Sequence, residues 1–203
     1  MLGKKSEVNA IICDMGGVIH NIENTSPLLD IAIYYGQNPQ TLKDDYTKYV
    51  AKIRLGGEAK PMFQYFSRKI NKPIPKDISS IMSKGIKTTQ INQNLVNYLV
   101  KLKQQGIKLF VLSNTIADHS DWIRQNGWYD YFDNVFLSHE IKLTKPDSRS
   151  FEHVIEAEKL NTAEVIYIDD LPENIEVANS LGLITILAES ENQVIRDLDK
   201  LQK

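Results

Sequence analysis

Five short stretches of this 203-residue chain are apolar almost without interruption. They fall at residues 8–13, 108–112, 134–137, 165–168 and 183–187. A strand with one face in water alternates apolar and polar residues, whereas a strand covered on both faces has no reason to. Short, β-branched, unbroken runs therefore predict the strands of a buried parallel sheet.

Between the later runs the apolar spacing becomes helical. Leu95, Leu99 and Leu102 share one helix face, and Gly106 stands where a C-terminal stop is expected. Phe151, Val154 and Ile155 repeat that spacing, with Pro146 and Asp147 placed to start the helix. Pro172 opens a third pattern, with Ile175, Ala178 and Leu181 inward and Gly182 at its end. Strand–helix alternation of this kind predicts an open, Rossmann-like α/β sheet with right-handed crossovers. The length suits one such domain carrying a smaller insertion.

The interval 21–85 breaks the rhythm. It holds no strand pattern and reads as helical pieces punctuated by Pro27, Pro39, Gly56–Gly57 and Lys72-Pro73-Ile74-Pro75. Its aromatic residues (Tyr34, Tyr35, Tyr46, Tyr49, Phe63, Tyr65, Phe66) are expected to form the core of a small helical bundle, with one or two facing a ligand. Residues 1–20 and 86–203 are thus assigned to an α/β core and 21–85 to a helical cap over the carboxyl edge of the sheet. A cap of that size closes over a small molecule and hinders larger substrates.

Composition sets the class. Hydrophobic residues make up 42% and charged residues 25%, ordinary values for a globular protein. The formal net charge is −2 and no basic stripe is present, so no nucleic-acid partner is expected. The single cysteine, Cys13, forms no internal disulfide and fits a reducing compartment. The first apolar run is broken by Asp14, so neither a signal peptide nor a membrane span is expected, and the cytoplasm is the default location. Oligomeric state is left open.

Ligands of open α/β sheets bind beyond the carboxyl ends of the strands. Asp14 follows the first run, and Ser113, Asn114 and Thr115 follow the second. Lys145-Pro146 precedes the helix after the third, and Asp169-Asp170 close the fourth. Three carboxylates brought together repel one another unless a cation lies among them, and hard oxygen donors suit Mg²⁺. A Mg²⁺ ion that keeps open positions for phosphate oxygens points to phosphoryl chemistry.

These stretches also resemble, in order, the four motifs of the haloacid-dehalogenase-like superfamily. Ile11-Ile12-Cys13-Asp14-Met15-Gly16-Gly17-Val18-Ile19 is similar to the first, in the Asp-x-Gly-Gly-Val form of subfamily IA. Val111-Leu112-Ser113-Asn114-Thr115 is similar to the second, and the segment 138–151 with Lys145-Pro146-Asp147 to the third. Tyr167-Ile168-Asp169-Asp170-Leu171-Pro172-Glu173-Asn174 is similar to the fourth, with Ala178 and Gly182 continuing it. The insertion 21–85 corresponds to the family's C1 cap position.

The resemblance implies a Mg²⁺-dependent phosphatase of a small phosphorylated metabolite, a sugar phosphate among the candidates. Asp14 would be the nucleophile, forming an aspartyl-phosphate. Asp14, the carbonyl of Gly16 and Asp170 would hold Mg²⁺, with Asp169 behind them or bound through water. Ser113, Asn114 and Gly17 would take phosphate oxygens, and Lys145 would balance charge. Glycines at 16 and 17 permit the close backbone approach such a loop needs.

The sequence departs from the family's phosphatases at one position. A second Asp normally stands two residues after the nucleophile, where this chain has Gly16. That acid protonates the leaving group, a role worth roughly 10²–10⁴-fold, so catalytic efficiency is in doubt. His20, Glu23, a cap residue or water are the candidate substitutes. Substrates with leaving groups that depart with little protonation, such as anomeric or acyl phosphates, are expected to be favoured. Two other readings are a degenerate, non-catalytic phospho-ligand or partner-binding protein and a metal-free 2-haloacid dehalogenase. His119, His139 and His153 show no paired ligand spacing and are expected to be structural or exposed.

Overall fold

The computed structural model describes residues 8–22 and 25–201. Five parallel strands form one sheet: β1 (Ala10–Cys13), β2 (Lys108–Ser113), β3 (Asn134–Leu137), β4 (Val165–Asp169) and β5 (Ile184–Leu187). Each coincides with one of the apolar runs to within two residues. The spatial order is β3-β2-β1-β4-β5, the doubly wound Rossmann-like arrangement. Cys13, the last residue of β1, pairs with Val111 on one side and Ile168 on the other. The chain winds outward from β1 to β3, then returns to start again at β4. The switch point therefore lies between β1 and β4, and a crevice is expected there.

Both faces of the sheet are covered, which explains the unbroken runs. Ile11, Cys13, Leu109, Val111, Ile166 and Ile168 pack against helices α5 (Gln93–Gln104) and α10 (Glu191–Leu201). Their alternates Ala10, Ile12, Phe110, Leu112 and Tyr167 meet α8 (Ser148–Glu158) and α9 (Pro172–Ser180) on the other face. Burying each large apolar side chain is worth roughly 1.5–3 kcal/mol, so both layers are tightly specified. Gly106, at φ 100°, follows α5, and Asp147 caps α8 by accepting from the Arg149 N–H. In α9, Ala178 and Asn174 are the fully buried residues, while Ile175 and Leu181 are only partly covered.

Between β1 and β2 the chain forms α1 (Pro27–Tyr35), α2 (Pro39–Arg54), α3 (Lys60–Ile70) and α4 (Ile78–Met82). The prolines read as punctuation are helix starters: Ser26 and Asn38 cap α1 and α2, with Pro27 and Pro39 next in the first turn. Tyr35, Phe63 and Phe66 are fully buried in a separate apolar cluster, whereas Tyr34 is exposed. The two chain crossings that join these helices to the sheet are zipped together. His20 bridges Ile91, the Asn21 N–H donates to the Gln90 carbonyl, and Asn92 donates to Ile19 and Val18 carbonyls. No described helix is long and apolar enough to cross a membrane.

Candidate active site

The loop after β1 is wound tightly. The Asp14 N–H still bonds β4 through the Ile168 carbonyl (2.9 Å), and the Met15 carbonyl then accepts from both Ile19 and His20. This turn brings the Asp14 carboxylate to the sheet rim, where the residue is only 9% exposed. Its Oδ1 accepts from the Met15 N–H at 2.7 Å and lies 3.1 Å from the Lys145 ammonium.

Lys145 is the centre of charge compensation. Its side chain is 1% exposed, and Nζ donates to Asp169 Oδ2 at 2.6 Å while facing Asp14. The helices α6 (Ala117–Gln125) and α7 (Ser138–Ile141) follow β2 and β3, and the loop after α7 carries Lys145 across a cis bond to Pro146. Asn114 fixes that loop: its Nδ2 donates to the Lys145 carbonyl (2.8 Å) and its Oδ1 accepts from the Lys145 N–H (2.9 Å). Ser138 performs a parallel task, exchanging hydrogen bonds with the backbone of Thr115 at 3.0 Å each.

Asp169 is fully buried and saturated with donors. Lys145 and the Tyr167 hydroxyl reach Oδ2, while the Leu171 N–H (2.9 Å) and Asn174 Nδ2 (3.0 Å) reach Oδ1. Burial works to raise its pKa, but the Lys145 charge and these donors outweigh it and hold the carboxyl below its ordinary range. Its neighbours behave in the opposite way. Burial pushes the Asp14 carboxyl upward, against the pull of Lys145 and with the added repulsion of Asp169. Partial burial, then the charges of Asp14 and Asp169, push Asp170 up to about 6. One oxygen from each of Asp14, Asp169 and Asp170 lies within 4.8 Å of the others. One lysine does not neutralise three acids, and repulsion adds to burial in raising two of the carboxyls.

The two loop glycines have distinct reasons. Gly17 sits at φ 78°, and a Cβ there would collide with the Asp170 carboxylate. Its N–H is spent on the His20 carbonyl at 2.9 Å, so the expected phosphate contact through that group is not what the N–H does. Gly16 is bridged to His20 through its neighbours' polar atoms, and no described group donates to its carbonyl. A Cβ on Gly16 would lie 2.9 Å from Ile22 Cγ2 and 3.8 Å from His20 Cε1. The His20 imidazole thus stands beside the position where the second Asp is missing. Its Nδ1 lies 2.9 Å from the Asn21 carbonyl, which only accepts, so that nitrogen carries the proton. Burial keeps the ring's pKa below its ordinary value. Glu23, the other nearby candidate, lies outside the described residues.

A cavity of about 330 Å³ opens beside this cluster. Gly16, Ser113 and Asn114 line it together with Tyr46 and Arg54 of α2. The Ser113 hydroxyl is bonded to no described group. His119 also faces the cavity while its Nε2 meets the Met82 carbonyl at 2.9 Å, and burial lowers its pKa to about 4. His139 meets Ser120, and His153 packs on Phe136; neither joins the acids. Cys13 is a buried free thiol.

Sequence reasoning brought together Asp14, Lys145, Asp169, Asp170, Gly16 and Gly17, and the fold places them at one rim. The Asn114 side chain grips the Lys145 backbone, a contact sequence reasoning did not foresee, so only the backbone N–H of that residue is left for a phosphate. Sequence reasoning gave no role to Tyr167, Asn174 and Ser138. Tyr167 was findable, because residues two apart on a strand share a face. Asn174, in the first turn of α9, reaches back to the strand end, and only the fold makes that visible.

The class defined by this sheet order, tight loop and acid cluster matches an existing family model, haloacid dehalogenase-like hydrolase, over residues 11–188. The chain belongs to that family. It is 23% identical to the sesquiterpene phosphatase astK of Aspergillus oryzae over 176 residues, covering 86% of this chain and 87% of that protein. It is 24% identical to mouse bifunctional epoxide hydrolase 2 over 136 residues, 64% of this chain but only 24% of that protein's length. Among solved structures, a haloacid dehalogenase family enzyme of Bacteroides thetaiotaomicron, crystallised with magnesium, shares the fold with a TM-score of 0.75. That match has 24% identity and covers 92% of this chain and 96% of the other.

Proposed function

We propose that the protein is a phosphatase of a small phosphorylated metabolite, with Asp14 as nucleophile. The observation that carries this reading is the position of the Lys145 ammonium, 3.1 Å from Asp14 and 2.6 Å from Asp169, beside a third, uncompensated acid. The relatives of this family that are named phosphatases, astK among them, support it.

The acid cluster suits a divalent cation. Asp14 Oδ2 and the Gly16 carbonyl accept from no described group, and Asp170 is raised by burial and then by the charges of Asp14 and Asp169, which a cation would offset. Asp14, Gly16 and Asp170 would hold Mg²⁺. When bound, the ion supplies positive charge to draw the phosphoryl oxygens toward the carboxylate. Asp169, with both oxygens occupied, serves to anchor Lys145 and Asn174.

An Asp14 oxygen attacks phosphorus, and the bond from phosphorus to the leaving oxygen breaks as the new one forms. Water then attacks the aspartyl-phosphate, releasing inorganic phosphate and restoring the carboxylate. Ser113 and the backbone N–H of Asn114 hold phosphate oxygens, while the Thr115 N–H stays on Ser138. Lys145 offsets charge on Asp14 and the bound phosphate throughout. Residues 21–85 act as a cap that closes over the substrate and excludes water. No acid stands at Gly16, so the leaving oxygen departs with little protonation, and activated esters such as anomeric phosphates are preferred.

A panel of metabolite phosphates assayed with Mg²⁺, beside Asp14→Asn, tests this. Turnover that disappears in the variant supports the proposal; turnover that persists in it refutes Asp14 as nucleophile.

A further inference from the structure

The cavity beside the acid cluster is larger than a phosphate needs, and its charge is one-sided. None of its described lining residues is acidic, and Arg54 is the one formal cation among them. Lys52 and Arg54 both occupy the last turn of α2, where a cation suits the helix dipole. That reason explains both equally, yet only Arg54 lines the cavity. Arg54 makes no ion pair with any described acid. Its charge bears on Tyr46 and on His119, which line the same space from α2 and α6. Arg54, itself exposed to solvent, thus shares one cavity with Ser113 and with Gly16, two residues past Asp14.

We propose that the leaving group of the substrate carries a second anionic group, a carboxylate or a second phosphate, that seats on Arg54 while the scissile phosphate lies by Ser113. This inference rests on the phosphatase reading above and deepens it. A guanidinium presents a planar fork of donors that matches either anion in a bidentate manner, and lysine offers no such fork. A neutral sugar or alcohol would leave that fork with only water to bind. Pro27 and Ile86 give the same space buried apolar walls, while Arg54 itself stays open to solvent.

Three esters test the inference: 3-phosphoglycerate, the bisphosphate of 1,3-propanediol, and glycerol 3-phosphate, which lacks a second anion. Binding is measured by calorimetry with Mg²⁺ on the Asp14→Asn protein, and kcat/KM on the protein with Asp14, each with Arg54, Arg54→Lys and Arg54→Gln. At least one doubly anionic ester should be preferred over glycerol 3-phosphate by roughly 3- to 10-fold, the worth of a charge-assisted contact open to solvent. Arg54→Gln should erase that ratio and Arg54→Lys should retain part of it. Which ester leads tells carboxylate from phosphate. Equal binding of all three esters, or a preference that survives Arg54→Gln, overturns the inference while leaving any observed hydrolysis standing. An Arg54-dependent binding preference with no turnover of these esters or of an anomeric or acyl phosphate sustains the subsite and refutes the phosphatase reading. Failure to bind any of them overturns the inference, and if no anomeric or acyl phosphate is turned over either, the phosphatase reading is overturned as well.

Discussion

Asn114 holds Lys145 by both backbone polar atoms, donating to its carbonyl at 2.8 Å and accepting from its N–H at 2.9 Å. The amide thus acts through the lysine. It sets the loop from which the ammonium reaches Asp14 and Asp169, and it leaves Ser113, one residue earlier, free to face the cavity.

Removing that clasp should cost both stability and rate. Asn114→Ala deletes two hydrogen bonds and leaves partly buried backbone groups unpaired, a loss of about 1–3 kcal/mol. A small displacement of Lys145 should also lower kcat by roughly tenfold or more. Urea unfolding and steady-state kinetics read the two effects. Wild-type kcat in a destabilised variant would show that Lys145 is held without Asn114.

Gly17 has no room for a methyl group. Gly17→Ala strains a backbone at φ 78° and drives the Asp170 carboxylate out of place. The strain costs about 1–2 kcal/mol, and apparent Mg²⁺ affinity should fall roughly tenfold or more. Mg²⁺ titration followed by thermal shift checks this. An unchanged affinity would argue that Asp170 is not a ligand.

The raised pKa of Asp170 fixes the sign of a pH effect. Its folded value of about 6 stands above the ordinary 3.8, so its stabilising contribution is complete below the ordinary value and is lost as pH rises through about 6. Asp14, also raised, acts in the same direction. Asp169 is held low, so its contribution is present above the ordinary value and lost only in stronger acid. Metal-free protein should therefore lose about 1 kcal/mol through Asp170 between about pH 5 and pH 7.5, after allowance for solvent screening. Added Mg²⁺ should raise Tm more at the higher pH, because a protonated carboxyl does not ligate. Asp170→Asn should flatten the slope. A Mg²⁺ shift that is larger at the acidic end would contradict the assignment.

The vacancy at position 16 is guarded by Ile22, 2.9 Å from where a Cβ would stand. Gly16→Asp alone should therefore pack poorly and gain little. Combined with Ile22→Ala, it should raise turnover of simple alkyl phosphates by roughly tenfold or more, since a positioned general acid is typically worth 10²–10⁴. The wild type should prefer activated esters, and the double variant should narrow that preference. Rates on alkyl phosphates that already match those on activated esters would refute the leaving-group argument.

The sheet was legible because burial on both faces leaves a mark in the residues: Ile11 and Ile12 face opposite helix layers, and both must be apolar. Asp14, Asp169 and Asp170 were legible because each closes such a run, and Lys145 because it precedes the proline that opens the next helix. The side-chain partners were not. Asn114 and Lys145 are 31 residues apart, and nothing local distinguishes an amide that binds a ligand from one that binds backbone. Arg54 was invisible as a cavity residue for a similar reason. On α2 it reads as one more exposed helix-end cation, and only the fold brings it to the cavity that Ser113 also lines.

The central claim is that Asp14 accepts the phosphoryl group, and mass spectrometry of an acid-quenched single turnover tests it most directly. With Mg²⁺ and a hydrolysed ester, the peptide bearing Asp14 should gain one phosphoryl group on a burst timescale, and Asp14→Asn should show none. Turnover with no phosphorylated peptide at any time point, or with the group on another residue, would contradict the account.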